Sequence, residues 1–176
     1  YDDHEALALL AEKSDVITYE FENIDYEALK ALAEKAHIPQ GAEIIRITQD
    51  RITEKNTLHA SGVKLAPFEI MRSVDEIEKG IEKLDYPCVL KTSRGGYDGK
   101  GQRVIRSQSD IEEAGKLLEN GPCVLESWLE FEKEISVIVT RNENGDMECF
   151  PVGENIHQDN ILHQTIVPAR ISESIE

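Results

Sequence analysis

The chain is 176 residues long, enough for one large or two small domains with a real core, and 40% of it is hydrophobic. It carries 35 Asp+Glu against 19 Lys+Arg, a formal net charge of −16. That balance argues against a nucleic-acid partner, which needs a basic face, and against an anionic membrane partner. No apolar run approaches the length of a membrane span. The three cysteines, Cys88, Cys123 and Cys149, are far apart and lack metal-ligand spacing. Each lies in an apolar run, which predicts buried, reduced thiols in a cytoplasmic protein and no metal site.

In chain order, 2–13 predicts a helix and Asp15 to Tyr19 a short buried strand. Glu20 and Glu22 follow at the strand's C-terminal end, the edge where open α/β sheets bind ligands. A ligand-facing pair and solvated loop acids are equally open readings of these two. Asp25 to Lys35 predicts a second helix, with Tyr26, Leu29, Leu32 and Ala33 inward. Residues 1–47 therefore look like the second half of an α/β unit. Thr48 to Ser61 predicts a polar connecting helix capped by Thr48 or Asp50 and stopped by Gly62. Arg51 and Lys55 lie four apart on it, and spacing alone makes them a solvated helical face.

From Gly62 the pattern becomes a compact α+β module. Strands are expected at 67–71, 86–92, 102–106 and 122–126, with helices at 73–84 and 109–120. Ser73 and Glu76 have capping-box spacing. The order β-α-β-β-α-β is the split-βαβ arrangement. Its central connection holds four of the chain's 11 glycines, Gly95, Gly96, Gly99 and Gly101. Five cations (Lys91, Arg94, Lys100, Arg103, Arg106) and one acid, Asp98, fall between 91 and 106. A basic, glycine-rich hairpin tip in an acidic chain points to a phosphate-bearing ligand, because glycine lets the backbone approach closely. The spacing matches neither the P-loop nor the dinucleotide fingerprint, and both of those open a helix rather than a strand. Lys91, ending an apolar strand, has the reach for phosphate oxygens; an edge charge snorkelling to water is the alternative. The last third reads as strands at 134–141, 147–152 and 161–167, with a polar stretch at 154–160. The opening Tyr1 and the trailing apolar segment near 171–175 suggest an internal piece of a longer protein.

Tyr86-Pro-Cys-Val-Leu-Lys-Thr, the octet Gly-Gly-Tyr-Asp-Gly-Lys-Gly-Gln at 95–102, Glu126-Ser-Trp-Leu and Glu134-Ile-Ser-Val-Ile together resemble the ATP-grasp superfamily. Residues 15–23 (Asp-Val-Ile-Thr-Tyr-Glu-Phe-Glu-Asn), 50–55 and 150–157 narrow the resemblance to the 5-(carboxyamino)imidazole ribonucleotide synthase family. The resemblance covers essentially the whole chain. It implies a partial ATP-grasp fold: the end of an N-terminal α/β domain at 1–47, a connecting helix and split-βαβ lid at 48–125, and the start of the C-terminal ATP-grasp half at 126–176. ATP would lie against Arg51, Lys91, the loop Gly96, Tyr97, Asp98, Gly99, Lys100, Gly101 and Gln102, the hinge Glu126, Ser127, Trp128 and Leu129, and Glu134 and His157. Tyr97 and Lys100 would serve catalysis, and Glu20 or Glu22 the ribonucleotide. The implied reaction is ATP- and Mg2+-dependent carboxylation of aminoimidazole ribonucleotide with bicarbonate, in a cytoplasmic homodimer. The metal ligands and most ribonucleotide phosphate contacts are expected beyond Glu176, so the piece alone is expected to lack a complete active site. Another ATP-grasp ligase, such as a formate-dependent glycinamide ribonucleotide transformylase, would share the lid but not both signature motifs. A nucleotide-binding module without activity is the reading from a different class.

Overall fold

The computed structural model describes residues 3–95 and 100–175. The chain opens with helix α1, His4–Lys13, whose N-cap Asp3 accepts hydrogen bonds from the amides of Glu5 and Ala6 at 3.0 Å. Helix α2, Tyr26–Ala33, is capped by Asp25 and buries Ala28, Leu29 and Leu32. Ala33 is exposed instead of inward. Helix α3, Glu43–Thr48, adds Ile45 to a core of Ile17, Leu29, Leu32, Ile38 and Ala42. The expected strand at 15–19 does not form: the segment joins no sheet among the described residues. A strand needs a backbone neighbour, and here only the Ile17 amide finds one, donating to the His37 carbonyl at 3.0 Å. The side chain of Gln40 takes the neighbour's place at Tyr19, accepting from its amide and donating to its carbonyl.

Helix α4, Arg51–Ala60, starts at Asp50, whose carboxylate accepts from the Thr53 amide at 2.9 Å. It ends at Gly62 (φ +79°), a conformation that favours glycine. The four-stranded sheet that follows comprises β1 (Phe68–Met71), β2 (Cys88–Thr92), β3 (Gln102–Ile105) and β4 (Cys123–Ser127) in the order β1-β4-β2-β3, all antiparallel. β4 thus lies between β1 and β2, which is the split of the split-βαβ unit. One face is covered by α5 (Val74–Leu84) and α6 (Ile111–Gly115). Ile77, Cys88, Leu90, Ile105, Cys123 and Leu125 fill that core at 0% exposure. Each Leu or Ile so buried contributes about 1.5–3 kcal/mol of transfer free energy.

Two helical expectations shift. The Ser73 side chain makes no capping bond to α5; Glu76 instead accepts from the Arg72 amide at 2.6 Å. A complete capping box forms at Ser107 and Asp110. The helix expected over 109–120 is an α-helix for only five residues and tightens into 3₁₀ turns on both sides. Gly115, a poor helix former, sits at the changeover, where Val74 packs too closely to admit a larger side chain without a shift.

The single strand expected at 134–141 divides into β5 (Glu134–Ser136) and β6 (Val139–Arg141), which join different sheets. β6 pairs with β7 (Met147–Cys149), while β5 pairs with β8 (Gly153–Gln158), which pairs with β9 (Ile161–Ile166). β8 occupies the stretch expected to be merely polar. Cys149 on β7 is exposed, unlike the buried Cys88 and Cys123, as is every residue of β6 and β7. Among the described residues no helix is long and apolar enough to cross a membrane.

Candidate functional site

The glycine-rich connection is the tip of the β2–β3 hairpin. Lys91 pairs with Gln102, and the Thr92 amide donates to the Gly101 carbonyl at 2.9 Å. Gly95 turns the chain at φ +73°. Gly96, Tyr97, Asp98 and Gly99 lie outside the described residues. Lys100 is exposed, and Gly101 and Gln102 are half-buried at the returning foot of the hairpin.

The base of the hairpin is clasped to the start of α4. The Arg51 amide donates to the Ser93 carbonyl at 2.8 Å, and its guanidinium donates to the Thr92 carbonyl. The carboxylate of Asp50 accepts from Ser93 Oγ at 2.9 Å and from Arg94 Nε at 3.2 Å. Burial opposes ionisation of Asp50, but bonds from the Thr53 amide, Ser93 and Arg94 outweigh it and hold the carboxyl below its usual range. Asp50 is therefore both a helix cap and the anchor of the hairpin.

The sheet's second face carries charge. Strand alternation sends Leu90 and Leu125 into the core and Lys91 and Glu126 to the opposite side, beneath α4. Lys91 pairs with Val124, so Glu126 sits diagonally across, and Lys91 Nζ lies 3.1 Å from Glu126 Oε2. Lys55 reaches the other carboxylate oxygen at 3.2 Å. Far from a solvated face, the Lys55 side chain is 12% exposed. Just past Glu126, the amides of Ser127 and Trp128 donate to the carbonyls of Pro67 and Pro87 at 2.9 and 3.1 Å. Those two N–H groups are spent within the fold, so a base edge would have to be read elsewhere in the hinge. Trp128 and Leu129 are exposed beside it, not core.

Glu134 on β5 and His157 on β8 share one sheet face, with Glu134 Oε1 3.6 Å from His157 Nε2. Two strands of the same sheet thus bring together residues that local sequence patterns do not relate. Glu22 lines a cleft of about 1090 Å³ together with Tyr26, Gln49, Arg51, Glu54 and Arg94. Burial, then the nearby Glu54 charge, push the Glu22 carboxyl up. Gln49 holds this wall by donating to the carbonyls of Glu22 and Ile24 at 3.0 and 3.1 Å, while its Oε1 receives Arg94 at 3.4 Å. Glu20 is exposed and does not line the cleft.

Sequence patterns alone pass over Asp50's clasp, Lys55, Gln49 and a further ion cluster. Glu154 is 5% exposed and meets Arg170 Nη2 at 2.6 Å and Lys133 Nζ at 3.1 Å. The hydrogen bond from Arg170 is the main reason its carboxyl falls to about 2. Among the described residues no group of three or more His, Cys, Asp and Glu side chains is gathered as a metal site.

A split-βαβ sheet whose β2–β3 hairpin starts beside Arg51, Lys55 and Lys91 has the ATP-grasp architecture. The chain belongs to the ATP-grasp family: the ATP-grasp domain model matches residues 56–176, and a ribonucleotide synthetase preATP-grasp domain model matches residues 1–49. Within that family it is 52% identical, over all 176 residues, to N5-carboxyaminoimidazole ribonucleotide synthase of Bacillus subtilis, covering 46% of that protein. A crystal structure of N5-carboxyaminoimidazole synthetase from Staphylococcus aureus complexed with ADP superposes with a TM-score of 0.95 at 50% identity, covering 99% of this chain and 47% of that one. The Aspergillus clavatus synthase in complex with ADP and 5-aminoimidazole ribonucleotide gives 0.89 at 31% identity, over 98% of this chain and 45% of that one. The chain thus spans about half the length of the relatives it matches.

Proposed function

We propose that this chain is the nucleotide-covering part of an ATP-dependent carbon–nitrogen ligase of de novo purine biosynthesis. The ligase carboxylates 5-aminoimidazole ribonucleotide with bicarbonate to give 5-(carboxyamino)imidazole ribonucleotide, ADP and phosphate. The observation that carries the phosphate half of this reading is the convergence of Arg51, Lys91 and Glu126 at the base of one glycine hairpin. The likeness to the synthases over the whole chain supports the choice of substrate.

In the proposed reaction a bicarbonate oxygen attacks the γ-phosphorus and the bond to the β-phosphate oxygen breaks, giving carboxyphosphate and ADP. The exocyclic amine then takes the carboxyl carbon: a C–N bond forms, the C–O bond to phosphate breaks, and the amine loses a proton. Such transfers need positioning and charge neutralisation more than covalent help from the protein. Lys91 and Arg51 supply cations, and residues 96–102 cover the phosphates and exclude water from a labile intermediate. Tyr97 and Lys100 face the reacting groups. Glu126 to Leu129 border the base, Glu134 and His157 the rest of the nucleotide. Glu22, in the cleft beside Arg51, is better placed than Glu20 for the ribonucleotide.

Mg2+ bound with ATP would offset charge on the β- and γ-phosphates, with ligands supplied beyond Glu176. We take the chain as three parts, 1–47, 48–125 and 126–176, of a cytoplasmic homodimer. The test is phosphate release by the full-length protein with Mg-ATP and bicarbonate. Release should rise sharply when aminoimidazole ribonucleotide is added; release that stays at background sinks the assignment.

A further inference from the structure

Glu126 is one carboxylate shared by two ammonium groups. Lys91 Nζ lies 3.1 Å from Oε2 and Lys55 Nζ 3.2 Å from Oε1, and the Glu126 side chain is only 10% exposed. The three residues come from β2, β4 and α4, so the arrangement is a product of the tertiary fold. Phe68, opposite Glu126 in the β1–β4 pair, completes it: Lys55 Nζ stands 5.2 Å from the centre of its ring. Lys55 is therefore fixed between a carboxylate and an aromatic face, while Lys91, at 27% exposure, has access to solvent.

The charge count gives this arrangement a consequence. A lone Lys91–Glu126 pair is neutral, and Lys91 could turn to a phosphate only by leaving a buried carboxylate without a partner, which is costly. With Lys55 present the three groups sum to one net positive charge. Lys91 can then engage an anion while Lys55 keeps Glu126 paired. We infer that Lys55 is a positioning residue for the nucleotide phosphates, neutralising Glu126 so that the charge of Lys91 is available at the mouth of the hairpin. This inference rests on the nucleotide reading above. Lys55 need not touch the nucleotide, and its charge rather than its hydrogen bond is what the role requires.

The test compares affinity for ADP with affinity for adenosine, which lacks phosphates, in the full-length protein by calorimetric titration. The variants are K55M, K55Q and K55R, with the exposed Lys79 changed in K79A as control. The ADP-to-adenosine affinity ratio should fall on the order of tenfold in K55M and K55Q. It should stay within about threefold in K55R, which keeps the charge. K55Q retains a hydrogen-bond donor for Glu126 and guards against misfolding of K55M. A K55M/E126Q double variant removes both charges together and should recover most of the ratio lost in K55M. A Lys55 that merely holds the fold together would lower the unfolding midpoint and leave the ratio alone. A ratio unchanged in both neutral variants, with wild-type discrimination intact, overturns the inference by itself. Wild-type protein that binds ADP and adenosine equally removes the phosphate site and the inference with it.

Discussion

Lys91 and Lys79 are both lysines of the same sheet-and-helix unit, yet their surroundings give them opposite expectations. Lys91 sits beside a buried carboxylate at the foot of the glycine hairpin, whereas Lys79 is exposed on α5. Lys91→Ala should weaken ATP binding by about tenfold or more, and Lys79→Ala should leave it within about twofold, as read by titration. Equal losses would make Lys91 a solvated strand-end charge. Glu154 carries a second prediction at this scale. Arg170 and Lys133 hold its carboxyl down to about 2 in the folded protein, below the unfolded-state value of about 4.3. The unfolded state therefore binds the proton first. The resulting stability is fully present above the unfolded value and is lost as pH falls through the folded one. Urea-unfolding midpoints should drop more steeply for wild type than for Glu154→Gln between about pH 5 and pH 2. Parallel curves would show that the ion cluster adds nothing.

At the scale of elements, the lid sheet depends on the core beneath β2 and β4. Leu90 is fully buried there, and Leu90→Ala should cost about 2–5 kcal/mol by chemical denaturation. Gly80 on α5 makes the opposite point. A Cβ at that position would lie 2.8 Å from Leu125 Cδ2 and 3.0 Å from Met71 Cε, so Gly80→Ala should destabilise by about 1–3 kcal/mol despite alanine's better helix propensity. A stabilised variant would mean that those side chains yield freely. The β2–β3 hairpin was legible in the chain because apolar runs flank the glycines, and Asp50 because caps are local. β8 was not, because Gly153–Gln158 alternates no apolar residues and becomes a strand only through β5 and β9 on its two sides. Its return into β9 is carried by Asp159 and Asn160, both at positive φ, the one local sign of a hairpin there.

Across the whole molecule, the site is a matter of which elements meet. Gln49 and Asp50 sit where the first helical unit, α4 and the glycine hairpin come together, so one short stretch fixes the cleft wall and the hairpin base. Periodicity places Arg51 and Lys55 on one helix face but cannot say that this face lies under a sheet. The partner that turns Lys55 inward is Glu126, on β4, the last strand of the lid sheet in chain order. The substrate-level reading was legible only through whole-chain resemblance, since no spacing of acids or bases specifies an imidazole ribonucleotide. The most direct test of the central claim follows oxygen. Full-length protein would be supplied with Mg-ATP, aminoimidazole ribonucleotide and 18O-labelled bicarbonate, and the released phosphate analysed by mass. Attack of bicarbonate on the γ-phosphorus predicts transfer of bicarbonate oxygen into phosphate, at one atom per turnover. Phosphate that draws its new oxygen from water instead would contradict the carboxyphosphate route and, with it, the reading of this chain as the cover of a carboxylating ligase.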